Sequence, residues 1–205
     1  MSKLKTLFYR GGIIESSHEI KCYVGSIIGE NIFSTNNNND LIYPRSSIKI
    51  FQGIPFADSN AISLYNLSKK QIALSCSSHC GQHFHIKELK AWIKQINLRN
   101  SDLKCGVHNP LNKESSEKLF LSGQKPYQLH NNCAGKHLGM LSSCLANNIP
   151  IKSYVNFEHP HQINIRNVFS KFTEKKISKR NYGIDGCSAP QYAFTIKELR
   201  NALSN

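Results

Sequence analysis

From residue 8 to residue 35 the apolar positions follow the two-residue period of strands. Phe8-Tyr9-Arg10 leads into Gly11-Gly12, a turn or bulge, and Ile13-Ile14-Glu15 follows. Ile20, Cys22 and Val24 alternate with polar neighbours, and Ile27-Ile28 precede Gly29-Glu30, a hairpin-turn signal before Ile32-Phe33. The polar stretch 35–40, with its run of asparagines at 36–39, reads as a loop.

Past Pro44 the period lengthens toward that of helices. Arg45-Ser46-Ser47 offers a serine cap for a helix through Ile48, Phe51 and Gln52, which Gly53 and Pro55 should keep short or broken. A second helix is expected over 62–67. The apolar Ile72-Ala73-Leu74 reads as the end of a strand. Leu89, Trp92, Ile93 and Ile96 share one face of a helix over 86–96. Residues 104–128 carry Gly106, Pro110, Gly123 and Pro126 and read as loop. Asn131-Asn132 can cap a helix through Lys136, Met140, Leu141 and Leu145, and further helices are expected over 160–172 and 195–203. Early hairpins followed by helices make the class α+β, with no internal repeat and no evident linker.

Composition changes this picture little. An apolar content of 40% supplies a core, and no run approaches the roughly 18 residues that span a bilayer. The first ten residues are basic without a signal peptide's apolar stretch, so a cytoplasmic location is expected. The net charge of +13 comes from basic residues that are spread out, the densest run being 171–180. Charge without a motif does not make a nucleic-acid binder, and the expectation is of no nucleic-acid and no membrane partner. Seven cysteines, an odd number, fit neither a disulfide framework nor a paired zinc ribbon.

Four segments could carry chemistry. In Arg45-Ser46-Ser47-Ile48-Lys49, helical spacing puts Ser46 and Lys49 on one face, and a lysine kept neutral by burial can take a serine's proton. The same residues also read as a helix cap followed by an exposed lysine. Ser75-Cys76-Ser77-Ser78-His79-Cys80-Gly81 gathers small hydroxyl residues and one histidine, His79, or is simply a serine-rich cap. His130-Asn131-Asn132-Cys133-Ala134-Gly135-Lys136-His137-Leu138-Gly139-Met140 places Cys133 and Lys136 one turn apart at a helix start. Its glycines allow another backbone to approach closely. Gly183-Ile184-Asp185-Gly186-Cys187 reads as a tight loop presenting Asp185 and Cys187.

In this order the four segments resemble the type II L-asparaginase family. That family's motifs read much like Arg-Ser-x-x-Lys, Cys-x-Ser-His, Asn-Asn-Cys-x-Gly-Lys-His-x-Gly-Met and Asp-Gly-Cys. Arg10-Gly11-Gly12, Glu15-Ser16 and His18 look like its opening, and the likeness spans about residues 8–195. The resemblance implies a penicillin-binding-protein or serine-β-lactamase-like fold and conversion of L-asparagine to L-aspartate and ammonia. It implies Ser46 with Lys49 as one Ser-Lys pair and Ser78 as a second serine. Arg45, His79, Asn132 and Asp185 become substrate-binding positions. Cys133, Lys136 and Cys187 become a zinc site, whose sulfurs should lie within roughly 4 Å of each other.

The sequence departs from the family where Ile50 replaces a usual proline, although Gln52 remains. Chains of the family also continue past the equivalent of Asn205. The expectation is therefore that 1–205 is the N-terminal portion of such a domain, without its C-terminal strands and the base for Ser78. Activity impaired by truncation, a homo-oligomer or a separate C-terminal half would follow. The alternatives are a non-catalytic remnant and a zinc-binding structural module.

Overall fold

In chain order the elements are β1 (Leu4–Arg10), β2 (Ile13–Ile20), β3 (Tyr23–Gly25), β4 (Asn31–Ser34), α1 (Lys49–Ala57), α2 (Ala61–Leu64), α3 (Lys69–Ser75) and α4 (His83–Gln95). They continue with α5 (Lys113–Leu121), α6 (Ala134–Ala146), α7 (Pro160–Thr173), β5 (Tyr182–Ile184), β6 (Pro190–Tyr192) and α8 (Ile196–Ser204). This is a computed structural model, and it describes residues 3–26, 28–35 and 39–204. Ile27 and most of the asparagine run, 36–38, lie outside the described residues. The α+β class expected from the pattern is what is observed, and every sheet among the described residues has two strands. No helix among them is long and apolar enough to cross a membrane.

The chain divides into two compact units. The first comprises Met1–Pro44, Phe169–Asn181 and Tyr192–Asn205. Here β1 and β2 pair antiparallel from Leu4↔Ile20 to Arg10↔Ile13, with a register shift between Phe8 and Tyr9. Gly11 and Gly12 take φ of 54° and 84°, the left-handed backbone that closes the turn. Strands β3 and β4 pair from Tyr23↔Ser34, and the Arg200 guanidinium on α8 hydrogen-bonds the Ser26 carbonyl. Phe169 stacks near Tyr192 and Phe194, with ring centroids 5.3 and 5.1 Å away.

The second unit, Arg45–Val168 with Tyr182–Gln191, is organised around α6. Eleven of its residues are buried, and α1, α2, α3 and α4 all pack on it. Two glycines make this packing close. A Cβ on Gly135 would overlap the Leu74 carbonyl, and one on Gly139 would sit 3.0 Å from Ser75 Cβ. Phe56, Leu89, Trp92, Leu129, Leu138 and Leu141 fill the space around the helix, each worth roughly 1.5–3 kcal/mol on full burial. The Trp92 indole N–H is not left bare, because it donates to Ser142 Oγ at 2.9 Å.

Three local expectations are corrected. Residues 72–74 belong to a helix rather than a strand, because Ser68 and Gln71 form a reciprocal capping box (3.3 and 2.8 Å) that starts α3 just before them. Helix α1 is short, as expected, ending two residues after Pro55, but it runs unbroken through Gly53 and Pro55, and no serine caps it. Burial of Phe51 and Phe56 offsets the hydrogen bond that Pro55 cannot make, and Gly53 leaves room for Cys76 Sγ, which would lie 2.5 Å from an added Cβ. Helix α5 lies in the expected loop. Asn112 caps it by accepting from Ser115 N–H at 2.9 Å, and since it buries no residue its sequence shows no apolar period.

Candidate active site

Arg45 opens the site in a left-handed conformation, φ 55°, and the chain then turns through a 3-10 segment, Arg45–Ile48, into α1. This leaves the Ser46 side chain exposed and puts Lys49, the first residue of α1, at 2% exposure. Lys49 Nζ donates to the Ser77 carbonyl at 2.9 Å and lies 2.6 Å from Ser78 Oγ. Ser78 Oγ in turn lies 3.0 Å from Ser46 Oγ. Two exposed hydroxyls thus lead in series to one buried amine. Burial is the main reason the Lys49 pKa falls below the usual lysine range, with the Lys136 charge adding to it. Ser78, for which the sequence offered no partner, is thus in direct contact with Lys49.

Beside this chain, Cys133 sits at the N-cap of α6, where Asn131 Oδ1 accepts its backbone N–H at 2.9 Å. One turn on, Lys136 Nζ donates to Cys187 Sγ at 3.2 Å and lies 3.9 Å from Asp185 Oδ2. The sulfurs of Cys133 and Cys187 and a carboxylate oxygen of Asp185 all lie within 4.8 Å of one another. A hydrogen bond from Cys187, together with the Lys136 and Lys49 charges, holds the Cys133 thiol down at about 6. The same bond, with burial, pushes Cys187 up to about 11. The Cys187 sulfur also lies 3.8 Å from Asp185 Oδ2. Behind Cys187, His137 is fully buried, and its Nδ1 lies 2.6 Å from the Tyr154 hydroxyl.

Asp185 also pairs with Arg45, Nη2 to Oδ1 at 2.6 Å, and it sits with Cys187 in the turn between β5 and β6. Two glutamines, each 2% exposed, fasten this hairpin to the first motif. Gln52 Nε2 donates to the Pro190 carbonyl and Gln191 Nε2 to the Arg45 carbonyl, both at 3.2 Å. Asn132 is held by its backbone, its carbonyl accepting from His79 N–H at 3.2 Å and its N–H donating to His108 Nε2 at 3.0 Å. Its side-chain amide has no hydrogen-bond partner among the described residues. His79 is 2% exposed; Gly81 N–H donates to its Nδ1, and burial pushes its pKa down to about 4, so the ring is neutral.

The fold thus brings Arg45, Ser46, Lys49, Ser78, Cys133, Lys136, Asp185 and Cys187 to one place, with His79 and Asn132 joined to it through backbone bonds. Sequence reasoning missed Gln191, His108, His137 and Tyr154. Of these only His137 lay inside a segment already singled out. The model of the L-asparaginase II family matches residues 7–205 of the chain. No curated protein matches it.

Proposed function

The chain belongs to the L-asparaginase II family, and from that premise we propose that its reaction is hydrolysis of the asparagine side-chain amide by a serine whose proton drains to Lys49. The observation that carries this reading is the contact series Ser46 Oγ, Ser78 Oγ, Lys49 Nζ, with separations of 3.0 and 2.6 Å. Ser46 is the nucleophile. As its oxygen attacks the amide carbon, its proton passes to Ser78, and the Ser78 proton passes to the neutral Lys49 amine. The tetrahedral intermediate collapses when the leaving nitrogen takes the proton back through the same path, releasing ammonia. Water then attacks the ester, giving up its proton to the relay, and its hydroxyl oxygen ends in aspartate as Ser46 is restored. Arg45 and Asp185 offer opposite charges that complement the α-carboxylate and α-ammonium of an amino acid.

Cys133, Lys136 and Cys187, with Asp185 beside them, fit a zinc ion. The set joins a sulfur already near its thiolate form to a second thiol, an amine and a carboxylate, donors suited to zinc. A bound zinc ion would supply Lewis-acid polarisation of a carbonyl oxygen.

The test is ammonia release from asparagine by the unaltered chain and by Lys49→Met, Ser46→Ala and Ser78→Ala. Each substitution is expected to lower kcat by roughly 10²- to 10⁴-fold. The rate should also rise with pH through one ionisation lying below the usual lysine range, because the base acts only when neutral. A Lys49→Met protein that keeps its rate within a factor of about three would reject the relay.

A further inference from the structure

Away from the serine–lysine series, residues of α4, α5 and the 3-10 turn Gln128–His130 line a cavity of about 270 Å³. That is just under the roughly 300–1,000 Å³ of small-molecule pockets. Apart from Tyr127, its ionisable side chains are His83, Lys90, Lys118 and His130, and no carboxylate among the described residues lines it. Lys118 shares its charge with Glu114, Nζ to Oε1 at 2.6 Å. Lys90 Nζ lies 5.9 Å from the centre of the Tyr127 ring and has no carboxylate partner among the described residues. The two serines on the wall, Ser115 and Ser122, already donate their hydroxyl protons to Asn112 Oδ1 and the Leu119 carbonyl, both at 2.8 Å.

His130 supplies the built part of the cavity. It is 5% exposed, its ring meets the Tyr127 ring edge-on with centroids 4.4 Å apart, and its Nδ1 accepts the Tyr127 backbone N–H at 3.1 Å. A neutral imidazole whose Nδ1 accepts carries its proton on Nε2. Burial, with the Lys90 charge adding to it, holds the His130 pKa below the usual histidine value, which keeps the ring neutral near pH 7. Nε2–H has no hydrogen-bond partner among the described residues, and unlike His79 Nε2 it is not sealed from solvent. A fixed, nearly buried donor thus stands in a cavity whose charged groups are cations.

We infer that this cavity binds a phosphate group, held by His130 Nε2–H and by the charges of Lys90 and Lys118. Near neutral pH a phosphate ester carries about −1.5 to −2 charge and three strong acceptor oxygens, which suits two ammonium groups and an imidazole N–H better than a singly charged carboxylate does. Inorganic phosphate and a phosphate ester present the same group. The site does not depend on the asparaginase reading.

The test follows the His130 imidazole by NMR on the full chain at pH 7.5, with inorganic phosphate, ribose 5-phosphate and acetate titrated at matched ionic strength. His130→Gln, which lacks the signal, assigns it. Inorganic phosphate should shift the Nε2–H resonance along a saturating curve. Lys90→Met should weaken that binding by about 10-fold or more, whereas Lys87→Met, exposed on the same helix but outside the cavity, should leave it within about twofold. Lys90 is exposed, so its loss should spare the fold, and circular dichroism checks this. Tighter binding of ribose 5-phosphate identifies an organic phosphate as the ligand, and equal or weaker binding identifies the free ion. Acetate acting at the same concentrations overturns the proposal. So does a response that never saturates, or a folded Lys90→Met chain that binds phosphate as tightly as the unaltered one.

Discussion

In the β1–β2 hairpin Leu7, Phe8, Tyr9, Ile13 and Ile14 are all exposed, whereas α6 buries Lys136, His137, Ser142 and Ser143. Phe8 and Tyr9, 54% and 60% exposed, point to opposite faces of the hairpin, so neither face is covered. The hairpin is held by its ladder of backbone bonds and a turn of two glycines. Helix α6 is held by contact on all sides, and its buried lysine and serines have partners: Lys136 the Cys187 sulfur, Ser142 the Trp92 indole, Ser143 the Pro55 carbonyl. The difference teaches that for the lysine and serines of this helix burial follows partnership rather than hydropathy. A lysine can lie in the core when a sulfur and a carboxylate receive it.

The largest expected effect comes from breaking the tight side of this comparison. Gly135→Ala puts a methyl group into the Leu74 backbone carbonyl, which cannot rotate away, and should cost about 3 kcal/mol in urea unfolding. Gly11→Ala in the hairpin meets nothing within 4 Å and should cost only its backbone strain, about 1 kcal/mol. Equal losses would mean that α6 is less closely packed than its geometry implies.

A second effect sharpens the rule by testing a buried polar group without partners. His161 on α7 is 0% exposed, and both ring nitrogens lack partners among the described residues. Burial, aided by the His159 charge, pushes its pKa from 6.5 down to about 4. Below pH 6.5 the unfolded chain takes up a proton that the folded chain refuses. Stability from this residue is therefore full above about pH 6.5 and falls as the pH drops toward 4, by at most about 3 kcal/mol. Urea midpoints measured from pH 7.5 to 4.5 should show that slope, and His161→Phe should flatten it. His79, with its own pKa near 4, leaves a residual slope.

The smallest effect belongs to the open side. Ile13, 75% exposed, should tolerate replacement by Thr within about 0.5 kcal/mol. A loss of 2 kcal/mol in the isolated chain would show that the hairpin face is covered after all.

Much of this was legible in the sequence, and the failures have physical causes. The hairpins, α4 and α7 follow from period and turn residues, because each has either a ladder or a buried stripe. Helix α5 buries nothing and so leaves no period to read, and α3 is too short a run for period to separate strand from helix. At the site, the residue types of the Ser46, Cys133 and Cys187 segments announced their chemistry. The pairing of Lys49 with Ser78, 29 positions away, did not, because it arises only when α3 and α6 pack against α1. Gln191 and Tyr154 were invisible for the same reason: their partners are backbone or ring atoms that no local pattern encodes.

Lys49 stands at the end of a line of two hydroxyls, and this sets a stoichiometry. On the proposed relay the line has one sink, so only one of the oxygens would be drained at a time. An electrophile that captures Ser46 leaves Ser78 between an esterified neighbour and the same amine, with no second lysine or histidine hydrogen-bonded to either serine among the described residues. Labelling by a serine-directed acylating agent should therefore stop at one equivalent per chain, although two serines stand within reach of the reagent. The site would behave toward such a reagent as a single-turnover counter, reporting the fraction of molecules in which Lys49 is neutral.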